Sequence, residues 1–347
     1  MKTLQRRLIA FSTFILALGC LASVSRAGGT YHLLREIPIG GEGGWDYLTV
    51  DAVGRRLYVS HGTQVVVVDI DKDAVVGAIA DTPGVHGLAV APELKRGFSS
   101  NGRENKASIV DLQTLKTLSK VETGENPDGM LYEPGQKEVY MFNGRGRSAT
   151  VFEAATGKVV ATIPLSGKPE FAAADPQAGR VYNNIEDKSE VAVIDTKTHA
   201  VVATWPIAPG EEASGMAIDL EHHRLFLGCG NKLMVMMDST TGKVVASVPI
   251  GQGVDANAFD PGTKLAFSSC GDGTVTIARE ETPDKLTVVQ TLTTEPRART
   301  MTIDPSTHKI YLASAKFEAT AAPAPGGQRQ RPKMIPDSFK ILVYGMD

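Results

Sequence analysis

Met216-Ala217-Ile218-Asp219, Asn257-Ala258-Phe259-Asp260-Pro261 and Met301-Thr302-Ile303-Asp304-Pro305 are copies of one phrase, apolar residues running into an acid and a turn. Working outward, the phrase recurs as Ala172-Ala173-Ala174-Asp175-Pro176, Met130-Leu131-Tyr132-Glu133-Pro134, Leu88-Ala89-Val90-Ala91-Pro92 and Leu48-Thr49-Val50-Asp51. With the acid position as anchor, the copies fall at 51, 91, 133, 175, 219, 260 and 304, at intervals of 40, 42, 42, 44, 41 and 44 residues. A period in this range marks a repeat architecture, and seven copies are present.

Each repeat holds four short apolar segments separated by turn residues. Arg56-Leu57-Tyr58-Val59, Glu138-Val139-Tyr140-Met141 and Lys309-Ile310-Tyr311-Leu312 read as second strands, and Val65-Val66-Val67-Val68-Asp69 as a third. Lys158-Val159-Val160-Ala161-Thr162-Ile163-Pro164 and Lys243-Val244-Val245-Ala246-Ser247-Val248-Pro249 read as fourth strands. Short β-rich runs between glycine-containing turns, with no long helical pattern, predict four-stranded antiparallel units. Seven such units predict an all-β, seven-bladed β-propeller. The seventh repeat stops after its third strand, at 339–344, while Tyr31-His32-Leu33-Leu34-Arg35-Glu36-Ile37-Pro38 is left over at the other end and resembles a fourth strand. Pairing the two completes the last blade and closes the ring without a long free edge.

Arg56-Leu57-Tyr58-Val59-Ser60, Val191-Ala192-Val193-Ile194-Asp195-Thr196 and Thr156-Gly157-Lys158-Val159-Val160-Ala161-Thr162-Ile163-Pro164 resemble the YVTN-type repeat of bacterial YncE-like secreted proteins. The resemblance spans residues 31–347 and implies a periplasmic or cell-surface propeller. It implies no single activity, because function lives in the site and not in the fold. The sequence departs from the Tyr-Val-Thr-Asn phrase, with Tyr58-Val59-Ser60-His61 and Phe226-Leu227-Gly228-Cys229 in its place.

The register also places residues on a ring. In a regular antiparallel ladder, the residue five before each anchor lies beside the residue ten after it. The first set is Asp46, His86, Asp128, Glu170, Ser214, Asp255 and Arg299; the second is His61, Asn101, Asn143, Ile185, Cys229, Cys270 and Ser314. All but Ile185 carry polar, ionisable or thiol groups, and the two sets are expected to crown one mouth of the channel. Convergent polar groups of such varied chemistry predict a ligand pocket, although strand ends at a wet mouth are also polar simply because water reaches them. Asp46, His61 and His86 are the candidate ligands for a divalent metal. Cys229 and Cys270 sit at equivalent positions of adjacent blades; either a disulfide or two free thiols at the site fits that placement. Blade seven carries a long excursion, 315–338, in which Arg329 and Arg331 would be available to an anionic ligand if it acts as a lid over Arg299.

The bulk properties bound the function. Lys2, Arg6 and Arg7 precede an apolar run from Leu8 to Ala22 and Ser25-Arg26-Ala27, so residues 1–27 are expected to be a Sec-type signal. The propeller then occupies 28–347, with periplasmic or secreted localisation. Lipidation at Cys20 is the rival reading. Losing four basic residues moves the formal charge from −3 to −7, and an acidic chain without a basic stripe argues against nucleic-acid binding. No transmembrane anchor is expected after signal removal, and the chain is long enough to bury its own core as a monomer. No nucleophile elbow, HExxH, phosphate loop or dinucleotide fingerprint is present. Three readings follow. The first is a binding or sensor-like propeller for a small polar ligand or protein partner at the mouth; the second is a lactonase-like hydrolase using ring carboxylates, with metal assistance open; the third is a protein-interaction scaffold.

Overall fold

A computed structural model describes residues 29–318 and 332–347; the signal reading, Cys20, Arg329 and Arg331 lie outside them. Among the described residues, twenty-eight strands form seven four-stranded antiparallel sheets. The innermost strands are Leu48–Asp51, Val85–Ala91, Pro127–Glu133, Pro169–Asp175, Ala213–Asp219, Val254–Asp260 and Met301–Asp304. Each touches the innermost strand of the next blade, and the last touches the first, so the sheets close into a propeller. His32–Pro38 pairs antiparallel with Lys340–Gly345, giving the seventh blade its outer strand from the opposite end of the chain. The expected closure is what the chain does.

The anchor acid recurs because it builds a turn. Asp51 Oδ1 accepts hydrogen bonds from the Val53 and Gly54 amides at 3.1 and 2.8 Å, and Asp175, Asp219, Asp260 and Asp304 cap the same turn in their blades. A carboxylate that satisfies the backbone two residues on is the usual way to fix such a turn. Four residues past every anchor the backbone is left-handed: Arg55, Lys95, Lys137, Gly179, His223, Lys264 and His308 all have φ between 52° and 64°.

Between the turns, packing decides the pattern. Third strands such as Gln64–Asp69 are buried on both faces, because blades stack face to face and leave no wet side. Outer strands such as Ala74–Ile79 are largely exposed. The apolar core is accordingly divided into seven clusters, one in each gap between adjacent blades. None of the helices in the described residues is long and apolar enough to cross a membrane.

Candidate functional site: a plugged channel mouth

The inner strands do not run as regular ladders to the mouth. In blades two to six the register slips near the start of the strand: Val85 faces Asn101, Pro127 faces Asn143, Pro169 faces Ile185, Ala213 faces Cys229 and Val254 faces Cys270. Each partner is one residue earlier than the regular ladder predicts. A bulge of this kind re-aims the side chains around it, and it separates the two predicted sets.

The second set therefore lies behind the first. His61, Asn101, Asn143, Ile185, Cys229, Cys270 and Ser314 are buried within the blade packing. Asn101 Nδ2 donates to Glu104 and to Ser108, both at 2.8 Å, and Asn143 Nδ2 donates to Ser148 and Thr150 at 3.0 and 3.1 Å. Ser314 Oγ donates to Glu295 at 2.7 Å. His61 stacks on Phe339 with centroids 4.3 Å apart, and burial lowers its pKa below the usual imidazole value. Its position removes it from the candidate metal ligands. Cys229 and Cys270 are free, and burial pushes both thiols up to about 12. The sulfurs belong to separate inter-blade cores, so neither a disulfide nor thiols at the mouth describes them.

The first set gathers around the axis. His86 Nδ1 lies 2.8 Å from Asp46 Oδ2 and 3.2 Å from Asp128 Oδ1, joining three successive blades. Lys168 reaches Glu170 at 2.5 Å, and Arg299 Nε stands 3.6 Å from Asp255 Oδ2. Ser214 turns away, donating to the Asp255 carbonyl at 3.1 Å. Four carboxylates thus share the mouth with one imidazole, one ammonium and one half-exposed guanidinium.

Below this ring the channel is blocked. The residue four before each anchor is Tyr47, Gly87, Gly129, Phe171, Gly215, Ala256 or Thr300. Tyr47 of the first blade and Phe171 of the fourth meet with ring centroids 4.3 Å apart, filling the axis. Small residues elsewhere on that tier make the space: a Cβ on Gly87 would stand 2.6 Å from Tyr47 Cβ, and one on Gly129 would stand 2.8 Å from the Glu170 carbonyl. The Tyr47 phenol oxygen is buried without a hydrogen-bond partner among the described residues. Burial, then the charges of Asp128, Glu170, Asp46 and Asp255, push its pKa far up.

The carboxylates carry the electrostatic cost. Burial is the main cause in each case. It raises Asp128 to about 6 against the pull of His86, with Asp46 adding to the rise. Glu170 reaches about 7, helped by Asp128 and opposed by Lys168. Asp255 also reaches about 7, helped by Asp46 and opposed by Arg299. Burial disfavours charge on His86, but the Asp46 hydrogen bond and the charges of Asp128 and Glu170 outweigh it and raise its pKa.

Two clefts open on this face and meet at Gly44 and Trp45. One, of about 450 Å³, runs along Asp46, His86, Arg103, Asn126 and Arg145. The other, of about 690 Å³, is walled by Trp45, Arg297, Arg299, Phe317 and Met334. Trp45 is fixed against Phe339 at 5.0 Å, and Arg297 lies over the Phe317 ring at 4.5 Å. Phe317 bridges to Met334, so the base of the 315–338 excursion stands beside Arg299's cleft.

Sequence reasoning missed the plug and the bulges. The aromatic pair at the fourth position before the anchor, among glycines, is the available signal for the plug. Polar residues nine after the anchor satisfy backbone groups of the segments that carry the mouth side chains. Ser60 Oγ accepts from the Asp46 amide at 2.8 Å, Ser100 Oγ from the Gly87 amide at 3.3 Å, and Asn184 Nδ2 donates to the Ser214 carbonyl at 2.8 Å.

A second acid–histidine cluster lies at the opposite, turn-lined face, where Asp219, His222 and Glu280 converge. His222 Nδ1 is 3.0 Å from Asp219 and 3.1 Å from Glu280. Lys264 stands 3.5 Å from Asp219 and already supplies a fixed cation to that group.

No family model matches the chain, and no curated protein matches it. Among solved structures it is similar to a chain of Kuenenia stuttgartiensis hydrazine synthase, with 18% identity and a TM-score of 0.68 over 79% of this chain and 94% of the other. At that identity the likeness speaks for the β-propeller fold alone, which the seven blades above already display.

Proposed function

We propose that this chain is an exported binding propeller that takes a small cationic ligand into the carboxylate cup at its channel mouth. The observation that carries this reading is the convergence of Asp46, Asp128, Glu170 and Asp255 above the Tyr47–Phe171 plug, with the Asp255 Oδ2 oxygen buried and without a hydrogen-bond partner among the described residues. Buried carboxylates are normally paired or hydrogen-bonded. Here the neighbouring cations are too few, and Arg299 is more than half exposed. A cation entering the cup would offset the repulsion and recover the cost of burial. The basic and apolar start of the chain and the YVTN-type phrases support export. The test is thermal stabilisation of residues 28–347 at pH 8 and low salt by 1,4-diaminobutane, an alkylguanidinium, zinc and manganese. At least one should raise the melting temperature of the wild type and fail to raise that of Glu170→Gln/Asp255→Asn. Stabilisation by anions alone would sink the reading and direct attention to Arg297 and Arg299.

A second reading rests on Glu170 and Asp255 being held near pH 7, where a carboxylate serves well as a general base. With Arg299 to stabilise developing negative charge, the mouth would hydrolyse a lactone or ester. Turnover of simple lactones that disappears in Asp255→Asn separates this hydrolase from the binder.

A further inference from the structure

We propose that Asp46, His86 and Asp128 form a binding site for one divalent transition-metal ion, with zinc the best match. This deepens the cationic-ligand reading above and rests on it. One donor atom from each residue lies within 4.8 Å of the others. The imidazole nitrogen is 2.8 Å from one carboxylate and 3.2 Å from the other. Ligand bonds of about 2.0–2.1 Å to a tetrahedral ion place neighbouring donors about 3.3 Å apart, so the two donor pairs that include His86 Nδ1 already stand close to the spacing a metal requires.

The chemistry of the set selects the ion. One imidazole nitrogen and two carboxylate oxygens suit zinc and its neighbours, and leave a fourth position open. Calcium asks for six to eight oxygens and has no use for the imidazole. The opposite nitrogen of His86 lies over Gly102, where a Cβ would stand 2.7 Å from Nε2, so a glycine provides the room for this ring orientation. Independently of the triad, two buried polar atoms point to a ligand in the same cup. Neither the Tyr47 phenol oxygen nor Asp255 Oδ2 has a hydrogen-bond partner among the described residues, and the one cation near Asp255 Oδ2, Arg299 Nε, stands 3.6 Å away. The three ligands arrive from three different blades, one from each inner strand or the segment leading into it. That is why no short sequence motif announces the site. The Asp219–His222–Glu280 cluster has comparable spacing but holds Lys264 beside it, which leaves less negative charge for an ion.

The experiment is calorimetric titration of chelator-treated, dialysed protein with zinc, repeated with 1,4-diaminobutane, and the absorption spectrum of the cobalt(II) form. Wild type should bind one zinc per chain and give cobalt d–d bands of a four- or five-coordinate site. His86→Ala and the near-isosteric Asp128→Asn should each weaken zinc at least 100-fold and lose the bands, while His222→Ala keeps both. Circular dichroism and melting of Asp128→Asn guard against a folding defect in His86→Ala. Zinc binding that survives in both mouth variants, or is lost only in His222→Ala, overturns the proposal. If diaminobutane binds and zinc does not, the metal site fails while the cation cup stands; if neither binds, both fail.

Discussion

At the turn face, Asp304 is fully buried yet receives Arg55 at 2.7 Å, Ser306 at 2.6 Å and Thr307 at 2.8 Å; at the mouth, Asp255, its side chain 13% exposed, has among the described residues only Arg299 as a cation, at 3.6 Å. The contrast repeats around the axis. Turn-face acids meet a basic side chain from the following blade: His308 on Asp260 at 2.7 Å, Lys264 on Asp219 at 3.5 Å, His223 on Asp175 at 3.8 Å. Burial works against charge on Asp304 and Asp219, but hydrogen bonds and cations overcome it and hold both below the usual carboxylate value. The strained member of that face is Glu280, which burial and its hydrogen bond to Asp219 push up to about 7. Across the mouth, Asp128, Glu170 and Asp255 all move the other way. The same residue type therefore does two jobs in one ring. Paired acids join neighbouring blades; under-paired acids carry an electrostatic cost that, on the reading proposed above, a cationic ligand would relieve.

The comparison can be broken most forcefully at the ring closure. Arg55 joins blade one to Asp304 of blade seven and also grips Asp71 at 2.8 Å. Arg55→Ala strands a buried carboxylate and should cost about 2–3 kcal/mol, read from denaturant midpoints. A loss under about 0.5 kcal/mol, the size of an ordinary surface substitution, would mean that the turn-face pairs are not latches.

The mouth should answer with the opposite sign. The folded pKa of Asp255, about 7, lies above its ordinary value of 3.8. Its stabilising contribution is therefore complete below pH 4 and is lost as the pH rises through 7. Asp255→Asn should be nearly neutral at pH 4 and should stabilise the ligand-free protein by roughly 1–3 kcal/mol at pH 8. A variant that is less stable than wild type at pH 8 would show that Asp255 is a structural partner after all.

The smallest effect is a reporter. Cys229 and Cys270 lie in blades five and six, with thiols pushed up to about 12 by burial. A disulfide-exchange reagent should leave the native protein unlabelled, because protonated buried thiols are poor nucleophiles. Labelling should begin at lower denaturant in Arg55→Ala and at higher denaturant in Asp255→Asn at pH 8. Rapid labelling of the native wild type would place a thiol at the mouth and undo its assignment to the blade cores.

The period, the blade count and the pairing of 31–38 with 339–344 were all legible in the sequence, because turn acids and strand phrases are local and repeat in register. The mouth was legible only in part. Asp46, His86, Asp128, Glu170, Asp255 and Arg299 stand around the axis as counting predicts. Asn101, Asn143, Cys229 and Cys270 do not, because counting assumes an unbroken ladder and each inner strand slips by one residue before reaching them. A slip leaves no mark in residue type at the bulge itself. In blade two its trace lies fourteen residues away from the re-aimed side chain, in Ser100 behind His86, where the hydroxyl accepts from the Gly87 amide.

The Tyr47–Phe171 contact makes this propeller a cup and not a pipe. A ligand bound as proposed above would enter and leave by the same opening, and a competitor would contend for the same rim.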